Sequence, residues 1–313
     1  MSSDVTTAPL ALFVYKRLWH TRQTVEYLQR NRLADQTDLI IFSDGPAREE
    51  DAHAVAEVRD YIQSITGFKS VVVLESDENK GLSRSIIGGV EHVLASHDSV
   101  IVLEDDMVTA PGFLAYMNDA LYEYQHDTDV ISVHAYVLPV ESALPDTFFL
   151  RGADCWGWAT WRRGWSLFEA DGSKLLAALE QRKLTRQFDF DNSYRYTKML
   201  RDQIRGRNDS WAVRWYASAF LEDKLTLYPG KALVANIGLD ASGTHSVATS
   251  VYDGELQMDY RGLQRIELQE NPQARSLMSA CFRRNRTLLD GVFDKLSAWD
   301  YSLHRFLGGK RRG

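Results

Sequence analysis

The sequence contains only two cysteines, Cys155 and Cys281, which lie far apart in a chain of 313 residues. Two isolated cysteines form neither a disulfide framework nor the paired pattern of a zinc site, so both thiols are expected to be reduced. Positive charge is not in excess either, because the formal net charge is −7. This balance argues against binding along a nucleic-acid backbone, whose footprint on a protein is basic.

Long apolar runs are also absent. The first residues, "MSSDVTTAPLALFVYKR", carry an acid and no base before a short apolar stretch, which fits neither a secretory signal nor a membrane span. We therefore expect a cytoplasmic protein. Apolar residues make up 44% and charged residues 25% of the chain, as in an ordinary globular protein. The length allows one large α/β domain or two small ones.

Apolar strands alternate with amphipathic helices in the first half of the chain. Strands are predicted at 10–15, 37–45, 70–76 and 99–106, and helices at 21–32, 49–65 and 82–94, with Thr21 as an N-cap. Continuously apolar strands separated by helices predict a parallel sheet covered on both faces. The carboxyl ends of such strands lie at one edge, where ligands of open α/β sheets bind.

After Pro111 the pattern becomes less regular. We predict a helix at 113–124, a strand at 129–136, helical structure at 188–207 and 208–223, and two short strands within 224–238. From about 251 the chain is charged and is predicted to be mostly helical. We divide it into a domain at 1–250, with a donor half at 8–125 and an acceptor half at 126–250, and a helical extension at 251–313.

The fourth predicted strand runs directly into three acids, Glu104, Asp105 and Asp106. Mn²⁺ and Mg²⁺ take oxygen ligands and commonly bridge carboxylates to substrate phosphates. In a regular strand, Glu104 and Asp106 point to one face and Asp105 to the other, so the three cannot all bind one ion. We expect a divalent metal here, and a solvated acidic turn is the alternative.

The segment "VIVLEDDMVTAPGFLAYM" resembles the metal-binding segment of GT-A-fold glycosyltransferases, most nearly the N-acetylglucosaminyltransferase I type. The N-terminal layout is also similar to that of bacterial family 2 glycosyltransferases. The resemblance covers residues 8–125 well and extends more weakly to about 246. It implies a Rossmann-like, mostly parallel sheet with a smaller acceptor-side sheet, a nucleotide-sugar donor that is usually a UDP-sugar, and Mn²⁺ or Mg²⁺.

The resemblance also assigns roles to particular residues. Arg17 matches a basic residue that contacts the donor, and Asp44 in "FSDG" matches an acid that reads the uracil. Asp105 approaches the ribose or sugar, and Asp106 is the direct metal ligand. Polar residues at the strand ends complete the predicted donor site, which comprises Tyr15, Arg17, Asp44, Lys80, Arg84, Glu104 and Asp105. Arg84 stands in for a histidine that this family type has and this chain lacks.

An inverting transferase needs a general base on the acceptor side of the sugar. Asp209 in "RNDSWAVRW" resembles the catalytic acid that precedes a tryptophan-bearing helix in this family. A role as a helix cap is compatible with catalysis. Asp223 in "LED" is the rival base and is expected to lie roughly 20 Å away along the same helix. His245, in a glycine-flanked loop, is predicted to complete the metal site.

The segment at 148–165 contains four of the eight tryptophans. Tryptophan faces stack on the C–H faces of sugars, and a spacing of two places Trp156 and Trp158 on one side of an extended segment. We predict that one of the two contacts the acceptor, and a core role is the alternative. The basic C-terminal segment at 293–313 could dock on an anionic membrane surface, where a lipid-linked acceptor is found.

These observations predict a metal-dependent inverting glycosyltransferase that modifies a glycan or lipid-linked acceptor, in the synthesis of a surface polysaccharide or lipopolysaccharide. A sugar nucleotidyltransferase is the second hypothesis. Such an enzyme usually carries a glycine-rich basic loop after its first strand, and "YKRLWHTRQ" contains no glycine. The third hypothesis is a protein that binds a glycan or nucleotide sugar without catalysis.

Overall fold

The structure is a computed structural model, and it describes residues 7–240, 252 and 254–286. Its strands are β1 Leu10–Val14, β2 Asp38–Ser43, β3 Ser70–Glu75, β4 Ser99–Glu104, β5 Met107–Thr109, β6 Val130–His134, β7 Thr147–Arg151, β8 Trp158–Trp161, β9 Leu225–Pro229 and β10 Val234–Asn236. Its α-helices are α1 Leu18–Gln29, α2 Ala52–Ile62, α3 Leu82–Ser96, α4 Phe113–Glu123, α5 Arg162–Trp165, α6 Gly172–Gln181, α7 Thr185–Phe188, α8 Tyr196–Ile204, α9 Trp211–Leu221 and α10 Pro272–Arg284. Short 3₁₀ helices occupy Ala34–Gln36 and Glu49–Asp51.

One eight-stranded sheet, in the order β3-β2-β1-β4-β8-β6-β9-β7, organises the described chain. β1 pairs in parallel with both β2 and β4, and β2 pairs in parallel with β3. β8 runs antiparallel to β4 and β6, and β7 runs antiparallel to β9, which is itself parallel to β6. The predicted α/β fold, with a mostly parallel sheet between helices, is confirmed.

Burial on both faces explains why the central strands read as unbroken apolar runs. All five residues of β1 are buried, and Leu12 pairs in register with Leu103 of β4. One face of the sheet packs against α1 and α2, and the other packs against α3 through Ile86 and Val90. Each fully buried Leu or Ile side chain contributes about 1.5–3 kcal/mol, so these strands fix the position of the sheet edge.

A second, two-stranded sheet pairs β5 with β10 in antiparallel register, with Val108 opposite Ala235. Two residues, Asp105 and Asp106, separate the end of β4 from the start of β5. The sequence analysis did not predict this interruption between the strands. The pairing brings the chain that follows β10 back across the end of β4. The small sheet therefore positions residues 237–240 beside the predicted acidic site.

Several local predictions differ from the structure. Thr21 lies inside α1, whose N-cap is Arg17, because the helix begins one turn earlier than the apolar pattern indicated. The helix predicted at 208–223 is capped by Ser210, whose hydroxyl accepts from the amide of Val213 at 3.2 Å. Of the region predicted to be helical at 188–207, only α8 and the last residue of α7 are α-helical, and residues 189–195 form a non-helical connection between them.

The C-terminal region is only partly helical. Residues 254–269 contain no helix, and α10 follows with Asn271 as its N-cap. The predicted membrane-contacting segment at 293–313 lies outside the described residues. Within the described part of the chain, no helix is long and apolar enough to cross a membrane.

Candidate active site at the end of β4

The three predicted acids lie where β4 ends, and the strand stops at Glu104. Asp105 and Asp106 occupy the turn before β5, so the alternation expected for a regular strand does not extend to them. Both carboxylates accept hydrogen bonds from Nη2 of Arg17, at 2.8 Å for Asp106. Arg17 follows β1, and β1 is the parallel neighbour of β4, with Phe13 opposite Glu104. Adjacent strand ends therefore bring together an arginine and two acids that are 88 and 89 residues away in sequence.

One guanidinium cannot balance three carboxylates, and the pKa values reflect this. Burial alone lowers the pKa of Arg17, but the charges of Asp105 and Asp106 outweigh burial and raise it above its ordinary value. Burial raises the pKa of Asp105, and Arg17 only partly opposes that shift. Burial, followed by the charges of Asp106 and Asp105, raises the pKa of Glu104 to about 8. The cluster thus contains three acidic side chains and one cation, Arg17.

The chain after β10 covers this cluster. The amide of Ile237 donates to the carbonyl of Asp106 at 2.8 Å. A Cβ on Gly238 would lie 2.1 Å from Oδ2 of Asp106 and 2.7 Å from Nη1 of Arg17, so any larger residue there would force these two side chains to move. Two residues later, Asp240 lies 3.2 Å from Nε2 of His20 on α1. The acids are therefore enclosed between α1, β4 and the turn after β10.

The donor set suits a hard divalent cation, because it consists of carboxylate oxygens. Arg17 already lies between Asp105 and Asp106, so the turn accommodates a positive charge. A metal ion could bind Asp106 only if the hydrogen bond between Asp106 and Arg17 were broken. Among the described residues, no group of three His, Cys, Asp or Glu side chains forms a ready metal site. His245, the other predicted ligand, lies outside the described residues.

Asp44, which is predicted to read the uracil, makes its hydrogen bonds to neighbouring loops of the protein. Its buried carboxylate accepts four hydrogen bonds, from the amides of Gly45, Lys80 and Gly81 and from the side chain of Asn79, at 2.8–3.1 Å. Four bonds fill the acceptor positions of a carboxylate. In this arrangement Asp44 joins the end of β2 to the start of α3. Its oxygen lone pairs are all used within the protein, and none is left for a nucleobase.

Replacing Asp44 with Ala is expected to lower the free energy of unfolding by about 3 kcal/mol. The change leaves one buried and three partly buried hydrogen bonds without their acceptor, and hydrogen bonds to charged groups contribute about 1.5–3 kcal/mol each when buried. Urea denaturation measures the loss. Asp77→Ala, which removes an exposed carboxylate from the same connection, is the control and should leave stability unchanged. A fully stable Asp44→Ala protein would contradict this role.

The other predicted donor residues lie around the same strand ends. Tyr15 donates to Asp51 at 3.1 Å and accepts from the amide of Ala47, and burial raises its pKa to about 12. Lys80 and Arg84 are exposed and line a cavity of about 210 Å³ that also includes Asp44. The predicted donor residues thus lie at or just after the carboxyl ends of β1, β2, β3 and β4, including the connections and the first turn of α3 that follow these strands.

Asp209 and Asp223 lie at opposite ends of α9, which is about 16 Å long for its 11 residues. Asp209 is 3.4 Å from Nη2 of Arg214, and the same nitrogen donates to the hydroxyl of Ser83 at 2.6 Å. Ser83 is in the first turn of α3, so Asp209 lies beside the loop that Asp44 holds. Asp223 is paired with Arg151 at 3.1 Å and is largely exposed.

The two predicted acceptor tryptophans occupy different environments. Trp158 is fully buried, and its ring contacts those of Trp165, Trp211 and Trp215. It therefore has no surface to offer an acceptor. Trp156 is partly exposed and contacts Tyr136 and Tyr252.

Two features of the site were not found from the sequence. Gly238 packs against Asp106 and Arg17, which are more than 100 positions away in sequence. No local sequence pattern reveals such a contact. Asp154 lies two residues before Trp156 in the tryptophan-rich segment, and its proximity to several tyrosines depends on strand pairing. A search for acids beside predicted sugar-stacking aromatics would have found Asp154.

Comparisons with known proteins add little to this geometry. The sequence matches no protein-family model, and no curated protein matches it. Among solved structures, it is similar to the mannosyltransferase PcManGT from Pyrobaculum calidifontis in complex with GDP-Man and Mn²⁺, at 15% identity over 44% of this chain and 38% of that one, with a TM-score of 0.30. It is also similar to S. aureus TarS, at 10% identity over 80% of this chain and 41% of that one, with a TM-score of 0.40.

A third similarity is to UDP-glucose pyrophosphorylase complexed with UDP-glucose, at 11% identity over 71% of this chain and 90% of that one, with a TM-score of 0.35. The chain spans well under half the length of the mannosyltransferase and TarS structures. At these TM-scores, none of the three similarities supports a function for this chain.

Proposed function

We propose that this protein is an inverting glycosyltransferase that transfers a sugar from a nucleotide sugar, with a UDP-sugar as the first candidate, to a hydroxyl of a glycan or lipid-linked acceptor. The observation that carries the proposal is the acidic turn after β4, where the carboxylates of Asp105 and Asp106 share one cation, Arg17, beside Glu104 at the carboxyl edge of the sheet. A site short of positive charge suits a divalent ion accompanied by a diphosphate.

In this proposal Arg17 contacts the donor diphosphate, and Asp106 provides an oxygen ligand for Mn²⁺ or Mg²⁺ once the donor draws Arg17 away from it. When bound, the ion would stabilise the negative charge that develops on the departing nucleoside diphosphate. Asp105 stays with Arg17 and orients the ribose or sugar. His245 completes the metal site.

Proton removal from the acceptor hydroxyl is assigned to Asp209. Its position beside the first turn of α3 places it at the carboxyl edge that the donor residues share. The contact with Nη2 of Arg214, at 3.4 Å, holds the carboxylate on the side of α9 that faces α3. Asp223 is too far along α9 to serve the same site.

Thermal unfolding with a panel of UDP-, GDP-, dTDP- and CMP-sugars, with and without Mn²⁺, tests the proposal. A ligand at 100 times its Kd stabilises the folded state by about 2.7 kcal/mol, which corresponds to a Tm increase of about 5 °C for a protein of this size. We expect this shift for one nucleotide class, and a larger shift with Mn²⁺ than without it.

Two variants locate the binding. Asp106→Asn should abolish the Mn²⁺-dependent part of the shift. Asp98→Asn changes an exposed acid just before the start of β4, at the opposite end of the strand from Asp106. This variant should behave like the wild type. If no nucleotide sugar raises the Tm of the wild type under any condition, the proposed function is wrong.

A further inference from the structure

A ring of aromatic side chains surrounds Asp154 at the carboxyl ends of β6 and β9. We name this group the aromatic recess, and it consists of Tyr136, Trp156, Tyr194, Tyr196, Tyr228 and Tyr252. Tyr228 lies at the end of β9, with its hydroxyl 3.5 Å from Oδ2 of Asp154. The Trp156 ring lies 4.8 Å from that of Tyr136 and 5.1 Å from that of Tyr252. The recess is thus a packed aromatic surface around one carboxylate.

Among the residues that the structure describes, no arginine or lysine forms an ion pair with Asp154. Among the described residues, the one ion-pair contact within 4.0 Å is with Nε2 of His134, at 3.9 Å. That nitrogen accepts the amide proton of Trp156 at 3.1 Å, so it directs no proton toward Asp154. Burial also lowers the pKa of His134 and favours the neutral ring. The carboxylate is held in place by the amide of Cys155, which donates to it at 2.8 Å.

The Asp154 carboxylate is also accessible. Its side chain is 35% exposed, while most of the surrounding tyrosine surface is covered. An accessible carboxylate beside partly exposed aromatic rings, with no arginine or lysine of the described chain in contact, has capacity to accept hydrogen bonds from hydroxyl groups. The same rings offer faces for the C–H groups of a sugar.

The recess adjoins the acidic turn after β4. A Cβ on Gly157 would lie 2.8 Å from Val234 and 3.4 Å from Leu103, the residue before Glu104. Between Asp154 and that turn lies the thiol of Cys155, whose pKa is raised by burial and then by the charges of Asp154, Glu104 and Asp106. A sugar in the recess would therefore lie beside the proposed donor site.

We propose that the aromatic recess is the acceptor site, and that it binds a neutral sugar whose ring stacks on Trp156 and whose hydroxyl groups donate to Asp154. The assignment rests on the proposed glycosyltransferase function and adds the class of acceptor. Asp154 binds and orients the acceptor, while Asp209 remains the proposed base. The acceptor residue carries hydroxyl groups rather than a carboxylate, because a second negative charge beside Asp154 would be repelled.

The test is ligand-observed NMR on the full chain saturated with UDP and Mn²⁺. The probes are methyl glucoside, methyl galactoside, methyl mannoside and, as a charged counterpart, methyl glucuronide. We expect at least one neutral glycoside to bind and the glucuronide to bind at least tenfold more weakly. Asp154→Asn should weaken neutral glycoside binding about tenfold, because an amide accepts more weakly than a carboxylate but still caps the Cys155 amide.

Asp146→Asn, an exposed change in the connection before β7, is the matched control and should bind as the wild type does. UDP affinity, measured by calorimetry on each variant, should stay within twofold of the wild type. If the wild type binds UDP but Asp154→Asn binds the glycosides normally, the recess is not the acceptor site. Equal or tighter binding of the glucuronide overturns the acceptor class. If the wild type binds neither UDP nor a nucleotide sugar, the proposed function itself fails.

Discussion

Replacing Arg17 with Met will lower the free energy of unfolding by about 3 kcal/mol. Met keeps much of the side-chain volume but leaves two carboxylates without their cation, and breaking a largely buried pair in this way typically costs about 3–5 kcal/mol. The side chains of Arg17, Asp105 and Asp106 are 18%, 7% and 13% exposed, so solvent screens them only partly. Urea denaturation without divalent ions measures the effect.

Addition of Mn²⁺ should restore part of the lost stability in Arg17→Met and change the wild type less, because the variant leaves Asp106 open to an ion. Arg48→Met removes an exposed arginine paired with Glu50 at 2.6 Å, and it should unfold like the wild type. An Arg17→Met protein as stable as the wild type in the absence of metal would show that the acidic turn needs no cation.

Replacing Gly238 with Ala will weaken nucleotide-sugar binding at least tenfold, or about 1.4 kcal/mol. The new Cβ would overlap Oδ2 of Asp106, and the short Asp side chain can relieve the overlap only by rotating away from Arg17. The substitution therefore fills the space beside the two proposed donor contacts, Asp106 and Arg17, without removing a charge. Calorimetric titration of the nucleotide sugar that gives the largest thermal shift measures the loss.

Gly254→Ala is the matched control, since among the described residues its Cβ would meet Pro139 alone, at an ordinary 3.9 Å. It should bind the donor as the wild type does. Gly238→Ala should also unfold with a loss of about 1–3 kcal/mol, as expected for overpacking. Unchanged donor affinity in a folded Gly238→Ala protein would place the donor away from Asp106.

The first half of the fold could be predicted from the sequence because its strands are buried on both faces. Residues such as Leu12 and Leu103 make each central strand a continuous apolar run, and the intervening helices then require a parallel sheet. The second half depends on pairings between distant segments. β8 inserts between β4 and β6 although β7 precedes it in sequence, and no local pattern specifies that order.

The candidate site was predictable to the same extent. The acids after β4 stand out because a buried strand rarely ends in three carboxylates. Their pairing with Arg17 follows from the adjacency of β1 and β4, which the sequence indicated only in outline. The role of Asp44 was assigned by resemblance, whereas its four donors come from a loop 35–37 residues further along the chain and from its own neighbour.

A crystal structure of the protein with Mn²⁺ and the preferred nucleotide sugar tests the central claim most directly. The account predicts an anomalous manganese peak within coordination distance of an Asp106 oxygen, with the diphosphate contacting Arg17 at the end of β4. A nucleotide bound elsewhere would contradict it, for example in the cavity of about 250 Å³ that Arg275 and Arg283 line beside α10.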